Sequence, residues 1–373
     1  MALVTTRKVK TREELREFIR LPFKIHSNHA NWVPPLYADE WRYFSPNKNR
    51  AFSHCATVLL IAQRSGETVG RIMGIIHPRS NDYWQEKKAR FSHLECRDDQ
   101  EVAHELLAHI EEWARARGMD KMIGPYGFSN QDPQGFLIEG FEYPPTVATN
   151  CNFEYMKLLL ENEGFSKEVD YVVYGFDLPT PIPEFYEKVY QRVLKKGLYE
   201  IVEFSKRKEL RPFITPVLGL MNECFRDIYG FVPLDEQEMN HLARRYLRVL
   251  DPRFIKIIIY EGKVVAFNIA MPNLSVGLRK SKGRLFPLGL LKILRASRKT
   301  KQLDSLVGGI QEEHRGRGLD VLMVVNTIES AKKAGLEFVD SHHELETNLK
   351  VRAEMERLGG KVYKRLRVFQ KEL

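Results

Sequence analysis

The order of predicted strands and helices repeats once along this chain of 373 residues, and this repeat constrains the fold more than any other feature. Apolar runs at residues 57–62 and 69–76 flank a glycine turn and predict a β-hairpin, and runs at 254–260 and 264–270 do the same. In each half the hairpin is followed by a strand, a helix, a strand, a short helix and a final strand. This order is typical of an α/β protein, and the length suits two domains.

A proline-rich stretch separates the two halves. Pro179, Pro181 and Pro183 lie close together, and proline disrupts both helices and strands. We therefore predict an N-terminal domain at residues 1–178 and a C-terminal domain at residues 200–373. Residues 179–199 are predicted to form the proline-rich joint and a connecting helix.

A basic loop with two glycines joins a predicted strand at residues 305–310 to a predicted helix at residues 320–334. The loop reads Arg315-Gly316-Arg317-Gly318. Glycine tolerates positive φ and lets a ligand approach the backbone closely. The first N–H groups of a helix have no acceptor inside the helix, and the helix dipole places positive charge at the same point. This geometry favours a phosphate or pyrophosphate ligand.

The segment resembles the acyl-CoA pyrophosphate loop of the GNAT superfamily of N-acyltransferases. That loop reads Arg-Gly-x-Gly-x-Gly/Ala after an apolar strand residue and a few polar residues. Arg315, Gly316 and Gly318 match it, whereas Asp320 stands where the family has glycine or alanine. The resemblance implies that acetyl-CoA or a longer acyl-CoA binds here as a cosubstrate. The residues that it assigns to this binding are Ile310, Gln311, Arg315, Gly316, Arg317, Gly318, Leu319 and Asn348.

The duplicated order of elements also resembles the tandem GNAT architecture. It implies an α/β protein with two tandem GNAT-like domains, each a mixed, mostly antiparallel sheet flanked by helices. The equivalent loop of the first half, residues 93–101, has no glycine and bears four acidic residues, which would repel a pyrophosphate. We therefore predict that the N-terminal domain lacks a CoA site of its own.

Residues 339–348 carry the candidates for acid–base catalysis. Acyl transfer to an amine requires a base, and the resemblance places the thioester beside this stretch. A continuous strand would alternate its side chains and put one set on a single face: Asp340, His342, Glu344, Glu346 and Asn348. The predicted catalytic residues are Glu346, then Glu344, and His343.

The same residues also allow a structural interpretation. The strand can fray near Glu344, which leaves the side chains solvated or paired with Arg365 and Arg367. Asn348 matches the asparagine with which the family opens the next helix and contacts the cofactor, and it equally suits a plain N-cap. The tyrosine that the family often uses as an acid toward the thiolate is absent, because Met355 takes its place.

Positive charge is concentrated in one segment. Residues 279–301 contain nine basic residues and no acidic residue, which equals the net charge of +9 of the whole chain. The charge is therefore local and does not indicate nucleic-acid binding. The apolar residues of this segment predict a helix that covers a long acyl chain or contacts an anionic membrane surface. The alternative is a lid helix with a solvated basic side.

The remaining composition favours a cytoplasmic protein. No apolar run reaches the length of a membrane span, and the N-terminus lacks a secretory segment. The four cysteines lie far apart and the histidines show no metal-binding spacing, so we predict reduced thiols and no metal. The predicted function is acyl-CoA-dependent N-acyl transfer by the C-terminal domain to a small-molecule or lipid-like amine. The alternative is a non-catalytic GNAT-like module that binds a CoA ester or a lipid, including at a membrane surface.

Overall fold

The computed structural model describes residues 2–146, 149–179, 181–246 and 250–373, and for residues 241 and 244–246 it describes the backbone alone. Thr180 of the predicted joint lies outside the described residues. The described strands are β1 (Thr5–Lys8), β2 (Ala56–Arg64), β3 (Glu67–Ile76), β4 (Lys88–Cys96), β5 (Lys121–Gly124), β6 (Phe136–Glu139), β7 (Ser166–Asp177), β8 (Glu200–Val202), β9 (Ile255–Tyr260), β10 (Lys263–Pro272), β11 (Gln302–Ile310), β12 (Phe338–Asp340), β13 (Glu344–Leu345) and β14 (Lys361–Glu372). The described α-helices are α1 (Arg12–Ile25), α2 (Tyr37–Tyr43), α3 (Pro78–Trp84), α4 (Gln100–Arg115), α5 (Tyr155–Asn162), α6 (Glu184–Lys196), α7 (Ile214–Cys224), α8 (Glu236–Tyr246), α9 (Ser275–Ser281), α10 (Gly289–Ser297), α11 (Leu319–Lys333) and α12 (Leu349–Arg357).

The chain forms two compact units, and each contains segments from both halves of the sequence. Unit 1 consists of residues 1–172, 274–296 and 364–373, and unit 2 consists of residues 173–273 and 297–363. The predicted domain limits at residues 178 and 200 divide the sequence into continuous pieces, and they stay a prediction.

The sheet of unit 1 has the strand order β1-β2-β3-β4-β5-β14. β4 and β5 run parallel, and the other neighbours run antiparallel. Helix α4 packs on β2 and β3, where two glycines of β3 allow a close approach. A Cβ atom on Gly70 would lie 2.8 Å from Leu106 Cδ1, and one on Gly74 would lie 2.9 Å from Ile110 Cδ1.

The sheet of unit 2 has the order β8-β9-β10-β11-β12-β7. β11 and β12 run parallel, and the other neighbours run antiparallel. Helix α11 buries Leu322, Val325 and Ile328 in the core of this unit. Each sheet is therefore mixed and mostly antiparallel with flanking helices, which confirms the predicted fold class.

The two sheets exchange their last strands. β7 ends the first half of the sequence, yet its residues 175–177 pair with β12 in unit 2. β14 ends the second half, yet its residues 369–372 pair with β5 in unit 1. The sequence pattern predicted both strands but not the exchange, because apolar alternation records which face is buried and not which strand is the neighbour.

The predicted elements correspond closely to those of the structure, with one exception. Both hairpins are present, and the helix predicted at residues 320–334 begins and ends within one residue of α11. The continuous strand predicted at residues 339–348 is wrong, because β12 ends at Asp340 and β13 has two residues. In the described part of the chain, no helix combines the length and the apolar character that a membrane crossing requires.

Candidate functional site

Two parallel strands of unit 2 separate beside the basic loop. β11 pairs with β12 only from Gln302 to Asp304, and it then continues to Ile310 without this partner. The other side of β11 stays paired with β10 as far as Ile310. The separation therefore opens a gap between the end of β11 and the chain that follows β12.

The residues after β12 are held to β7, and this explains the separation. Ser341 donates its N–H to the carbonyl of Tyr174 at 2.9 Å, and the N–H of Tyr174 donates to Ser341 Oγ at 2.9 Å. The buried carboxylate of Asp340 accepts the N–H of His342 at 2.8 Å and the hydroxyl of Tyr363. His342 has a φ of 60°, so the chain leaves the extended conformation here.

The loop after β11 presents glycine backbone to the start of α11. Gly316 has a φ of +71°, and no described atom outside its immediate neighbours lies within 4 Å of the position that a Cβ would take there. Gly318 has a φ of +85° and is the N-cap of α11, which starts with the buried Leu319. A Cβ on Gly318 would lie 2.8 Å from Val193 Cγ2 of α6. Gly316 therefore serves backbone conformation, whereas Gly318 also allows α6 to pack closely.

The cationic side chains of the loop are exposed, and the start of the loop is fixed. Arg315 and Arg317 are exposed, and Arg315 Nε donates to the carbonyl of Ile310 at 3.2 Å. Gln311 donates its N–H to the carbonyl of Val265 at 2.9 Å. His314 is buried, with its Nδ1 3.0 Å from the Tyr199 hydroxyl. The first residues of the loop are thus held by hydrogen bonds, whereas Arg315 and Arg317 provide exposed positive charge.

Carboxyl groups with raised pKa values belong to the same unit. Burial, followed by the charge of Glu354, raises the pKa of Glu344 in β13 to about 8. Burial, followed by the charge of Asp320 in the first turn of α11, raises the pKa of Glu354 in α12 to about 7. Each of these two carboxyl groups therefore titrates close to neutral pH.

The other predicted residues lie around the start of α12. The carbonyl of Glu346 accepts Arg352 Nη1 at 2.7 Å, and the ring of His343 stacks on His342 with centroids 4.4 Å apart. Asn348 is the N-cap of α12, and its side chain accepts the N–H of Val351. The five residues expected on one strand face do not share one, because the chain bends at His342.

The arginines named as alternative partners have acidic partners in unit 1. Arg367 binds Asp170 through two hydrogen bonds of 2.7 and 2.9 Å. Arg365 lies 3.4 Å from a carboxylate oxygen of Glu139. Fraying of the strand near Glu344 matches the structure better than the continuous strand does.

Two tyrosines that sequence analysis did not select lie in unit 2 near the acidic groups. The hydroxyl of Tyr174 donates to Glu356 at 2.8 Å and accepts Arg352 Nε at 3.0 Å. Burial, followed by the charge of Glu354, raises the pKa of Tyr186 in α6 to about 12. The apolar period of α6 indicates that Tyr186 faces a core, but the partner of that face is visible only in the structure.

One cluster of metal-ligating side chains occurs among the described residues, in unit 1. The ligand atoms of His54, Cys55 and His77 lie within 4.8 Å of one another. However, His77 Nδ1 accepts the N–H of Ser80 at 3.1 Å, so a neutral imidazole carries its proton on Nε2. Burial and then the Arg90 guanidinium lower the pKa of His77 to about 3. The cluster is therefore a poor cation site, and the absence of a metal stays a prediction.

Two relatives are similar to nearly the whole chain. A protein of Caulobacter vibrioides named bacterial ceramide synthase is 29% identical over 374 residues, covering 98% of this chain and 96% of its own. Protein YghO of Escherichia coli is 23% identical over 369 residues, covering 97% of this chain and 94% of its own. No family model matches the chain.

Solved structures with the same fold include a tandem GNAT protein and a GCN5-related N-acetyltransferase. A tandem GNAT protein from the clavulanic acid biosynthesis pathway aligns with a TM-score of 0.57 at 13% identity, covering 99% of this chain and 98% of its own. A GCN5-related N-acetyltransferase from Sphaerobacter thermophilus aligns with a TM-score of 0.52 at 12% identity, covering 99% and 95%. The chain therefore shares its fold with a tandem GNAT protein, as the sequence resemblance predicted.

Proposed function

We propose that this tandem GNAT chain transfers the acyl group of an acyl-CoA to the amine of a lipid-like acceptor. The observation that carries the proposal is the coincidence, in unit 2, of separated parallel strands with a cationic glycine loop at a helix start. The similarity to a protein named ceramide synthase supports a lipid-like acceptor, because a ceramide is the amide of a fatty acid and a long-chain amine.

The proposed acyl-CoA site uses the loop and the end of β11. Backbone N–H groups from Gly316 to Leu319 bind the pyrophosphate, and Arg315 and Arg317 add positive charge. Ile310 and Gln311 border the gap that receives the thioester arm. Asn348 contributes from the start of α12, where it already caps the helix.

The proposed proton acceptor is a glutamate that follows the gap. The amine nitrogen attacks the thioester carbonyl carbon, the C–S bond breaks, and the CoA thiolate leaves with the bonding electrons. The proton lost by the amine passes to the base. Glu344 ranks before Glu346, because its pKa of about 8 lies near a neutral operating pH, where a general base is most effective. Glu346 and His343 stay in the proposal as alternatives.

A thermal-shift series with CoA esters tests the proposed substrate class. A ligand that binds only the folded state raises the melting temperature, so esters of increasing chain length report the preferred acyl group. The preferred ester is then incubated with long-chain primary amines, and both free CoA and the amide are measured. Binding without amide formation with any amine would favour the non-catalytic module. No shift with any ester would contradict the proposed acyl-CoA site and would leave a module that binds lipid.

A second part of the proposal concerns a surface of unit 1 formed by residues 276–295. Large apolar side chains are exposed here: Phe286 is 82% exposed, Leu291 62% and Leu288 58%. The basic residues of this stretch are all exposed, namely Arg279, Lys280, Lys282, Arg284, Lys292 and Arg295. Apolar and cationic side chains together favour the interface of an anionic membrane.

The 276–295 surface is held firmly by contacts on its other side. Ser275 Oγ donates to the carbonyl of Pro145 at 2.8 Å, and the N–H of Tyr37 donates to the carbonyl of Gly283 at 2.9 Å. Gly277 brings α9 close to α10, since a Cβ there would lie 2.7 Å from Ile293 Cα. The exposed side chains are therefore surplus to the packing of this segment, and we propose that they contact lipid.

Liposome flotation tests the membrane contact. Each basic residue near an anionic surface contributes about 1 kcal/mol, which high salt removes. We expect the protein to float with phosphatidylglycerol vesicles and not with phosphatidylcholine vesicles, and Lys292→Glu with Arg295→Glu to lower recovery. Lys195→Glu with Lys196→Glu changes the same charge at exposed positions of α6 and should leave recovery unchanged. Equal recovery of all variants would leave a lid helix as the explanation.

A further inference from the structure

The segment that carries the proposed base leaves the sheet of unit 2 and returns to it. The chain bends at His342, which has a φ of 60°, and the next strand, β13, pairs with β7 and has two residues. Glu344 lies on β13, and Glu346 lies in the turn between β13 and α12. A strand of two residues makes few backbone hydrogen bonds. The position of both carboxylates therefore depends on further contacts.

One arginine joins this turn, the helix after it and the neighbouring strand. Arg352 of α12 donates from Nη1 to the carbonyl of Glu346 at 2.7 Å and from Nε to the hydroxyl of Tyr174 at 3.0 Å. Tyr174 belongs to β7 and is 1% exposed. A guanidinium is planar and directs its donors along fixed lines, whereas a lysine ammonium is a single point of charge. The two bonds together therefore need an arginine at this position.

Tyr174 is fixed through its backbone as well as its side chain. Its N–H donates to Ser341 Oγ, and its carbonyl accepts the N–H of Ser341, both at 2.9 Å. Its hydroxyl donates to Glu356 of α12 at 2.8 Å. The chain that leaves β12 and the helix that follows the turn are thus both attached to one residue of β7, and Arg352 extends this attachment to the turn itself.

We infer that Arg352 is a positioning residue for the proposed base, because through Tyr174 and the Glu346 carbonyl it fixes residues 344–346 relative to β7. The inference rests on the proposed function, which assigns the base to this segment. Arg352 takes no part in the proton transfer, since its two bonds go to a backbone carbonyl and a tyrosine. A misplacement of about 1 Å can cost about 100-fold in rate, so loss of the two bonds should lower kcat by about 10-fold to 100-fold.

A rescue experiment tests the role of Arg352 in turnover. Arg352→Ala should lower amide formation by this factor in kcat, with KM for acyl-CoA unchanged. Arg352 is partly exposed, so added guanidinium ion can reach the space that the side chain leaves, and it should restore part of kcat. Arg352→Lys keeps the charge but not the planar pair of donors, so it should retain most of the loss.

The control for these variants lies on the same helix. Arg357→Ala removes the same side chain at an exposed position of α12 and should turn over like the wild type, with or without guanidinium. Wild-type turnover by Arg352→Ala or Arg352→Lys would overturn the inference. It would also be overturned if guanidinium did not raise kcat of a folded Arg352→Ala variant.

Tyr174→Phe separates the two bonds of Arg352. It removes the hydroxyl that accepts from Nε and keeps the ring, so kcat should fall by less than in Arg352→Ala. Because both residues act through one contact, the double variant should lose no more than Arg352→Ala alone. Losses that multiply in the double variant would show separate roles and would contradict the inference.

Hydrogen exchange gives a readout that needs no activity. The amides of residues 342–349 should exchange faster in Arg352→Ala than in the wild type, whereas those of α11 should keep their rates. Unchanged exchange in residues 342–349 would overturn the inference. A wild type that never forms amide would contradict the proposed function, while hydrogen exchange would still decide whether Arg352 holds this segment.

Discussion

Each unit contains two parallel strands that pair over only three residues, β4 with β5 in unit 1 and β11 with β12 in unit 2, but the helix that follows begins differently in the two units. In unit 1 the N-cap of α4 is Asp99, which accepts the N–H of Val102 at 3.3 Å and pairs with Arg64. In unit 2 the N-cap of α11 is Gly318, which has no side chain to offer. A helix start that binds its own carboxylate has little capacity for a second anion, whereas an uncapped start keeps its N–H groups for a ligand.

The two units repeat the same arrangement of strands and helix, but they differ in the residues that could bind a ligand. Both units place an extended strand end beside a helix start, and the residues at that start decide the ligand. In unit 1, Asp98 and Asp99 directly precede α4, and Glu95 of β4 lies 2.8 Å from His26 Nε2. In unit 2 the residues directly before α11 include Arg315 and Arg317, and acidic groups lie on β13 and α12. Duplication of the fold therefore does not imply duplication of the proposed CoA site.

The largest effect is expected from the base of unit 2. Glu344→Gln removes proton acceptance while keeping the shape of the side chain, so kcat should fall by about 100-fold to 10,000-fold with little change in acyl-CoA affinity. Steady-state release of CoA in the presence of the amine measures this. Glu346→Gln is the matched variant, and a larger loss there would move the base to Glu346. Unchanged turnover in both variants would leave unit 2 without its proposed base.

The second prediction is that acyl-CoA binds at the start of α11 and not at the start of α4. Gly316→Glu puts a negative charge where the pyrophosphate is proposed to bind, and acyl-CoA affinity should fall by about 100-fold or more. Calorimetric titration should give one site per wild-type chain.

Gly335→Glu supplies the control for this prediction at the other end of α11. Gly335 has a φ of +73°, close to the +71° of Gly316, and a Cβ at either position would have open space among the described atoms. The two variants therefore carry the same backbone strain and charge. Equal loss of affinity in both variants, or two sites per wild-type chain, would contradict a single acyl-CoA site at the start of α11.

The third prediction concerns the capped start in unit 1. Asp99→Ala removes the N-cap of α4 and the pairing with Arg64, so the free energy of unfolding should fall by about 1–2 kcal/mol. Acyl-CoA affinity should not change. Denaturant titration with the exposed Asp98→Ala as control measures the first effect. A gain or loss of acyl-CoA binding in Asp99→Ala would place a CoA site in unit 1.

The smallest effect is expected from Glu354, whose folded-state pKa of about 7 exceeds the ordinary value of 4.5. The folded protein then holds a proton that the unfolded chain has lost, so stability decreases as pH rises between these values. Glu354→Gln should therefore raise Tm by roughly 2–4 °C at pH 8, and by less at pH 5. Thermal unfolding at both pH values measures this, with the exposed Glu329→Gln as control. A rise of equal size at both pH values would point to packing and not to charge.

Local sequence patterns predicted most elements of both units. The hairpins β2–β3 and β9–β10 follow from apolar runs around glycine turns, and α4 and α11 follow from helical periodicity that ends at a glycine. The basic loop was also visible, since Arg315 and Gly316 lie between a strand and a helix whatever the rest of the chain does. These features depend on residues a few positions apart, and sequence alone determined them.

The tertiary structure decided which distant residues meet. Asp340 ends β12, and its carboxylate accepts hydrogen bonds from the His342 N–H and the Tyr363 hydroxyl. The periodicity of the sequence does not record such bonds. The sequence likewise does not indicate that β7 and β14 are exchanged, or that His26 contacts Glu95, 69 residues away. Each of these segments had many other apolar or polar partners available. A sequence states what each segment can bury or bond, but the partner is selected by packing of the whole chain.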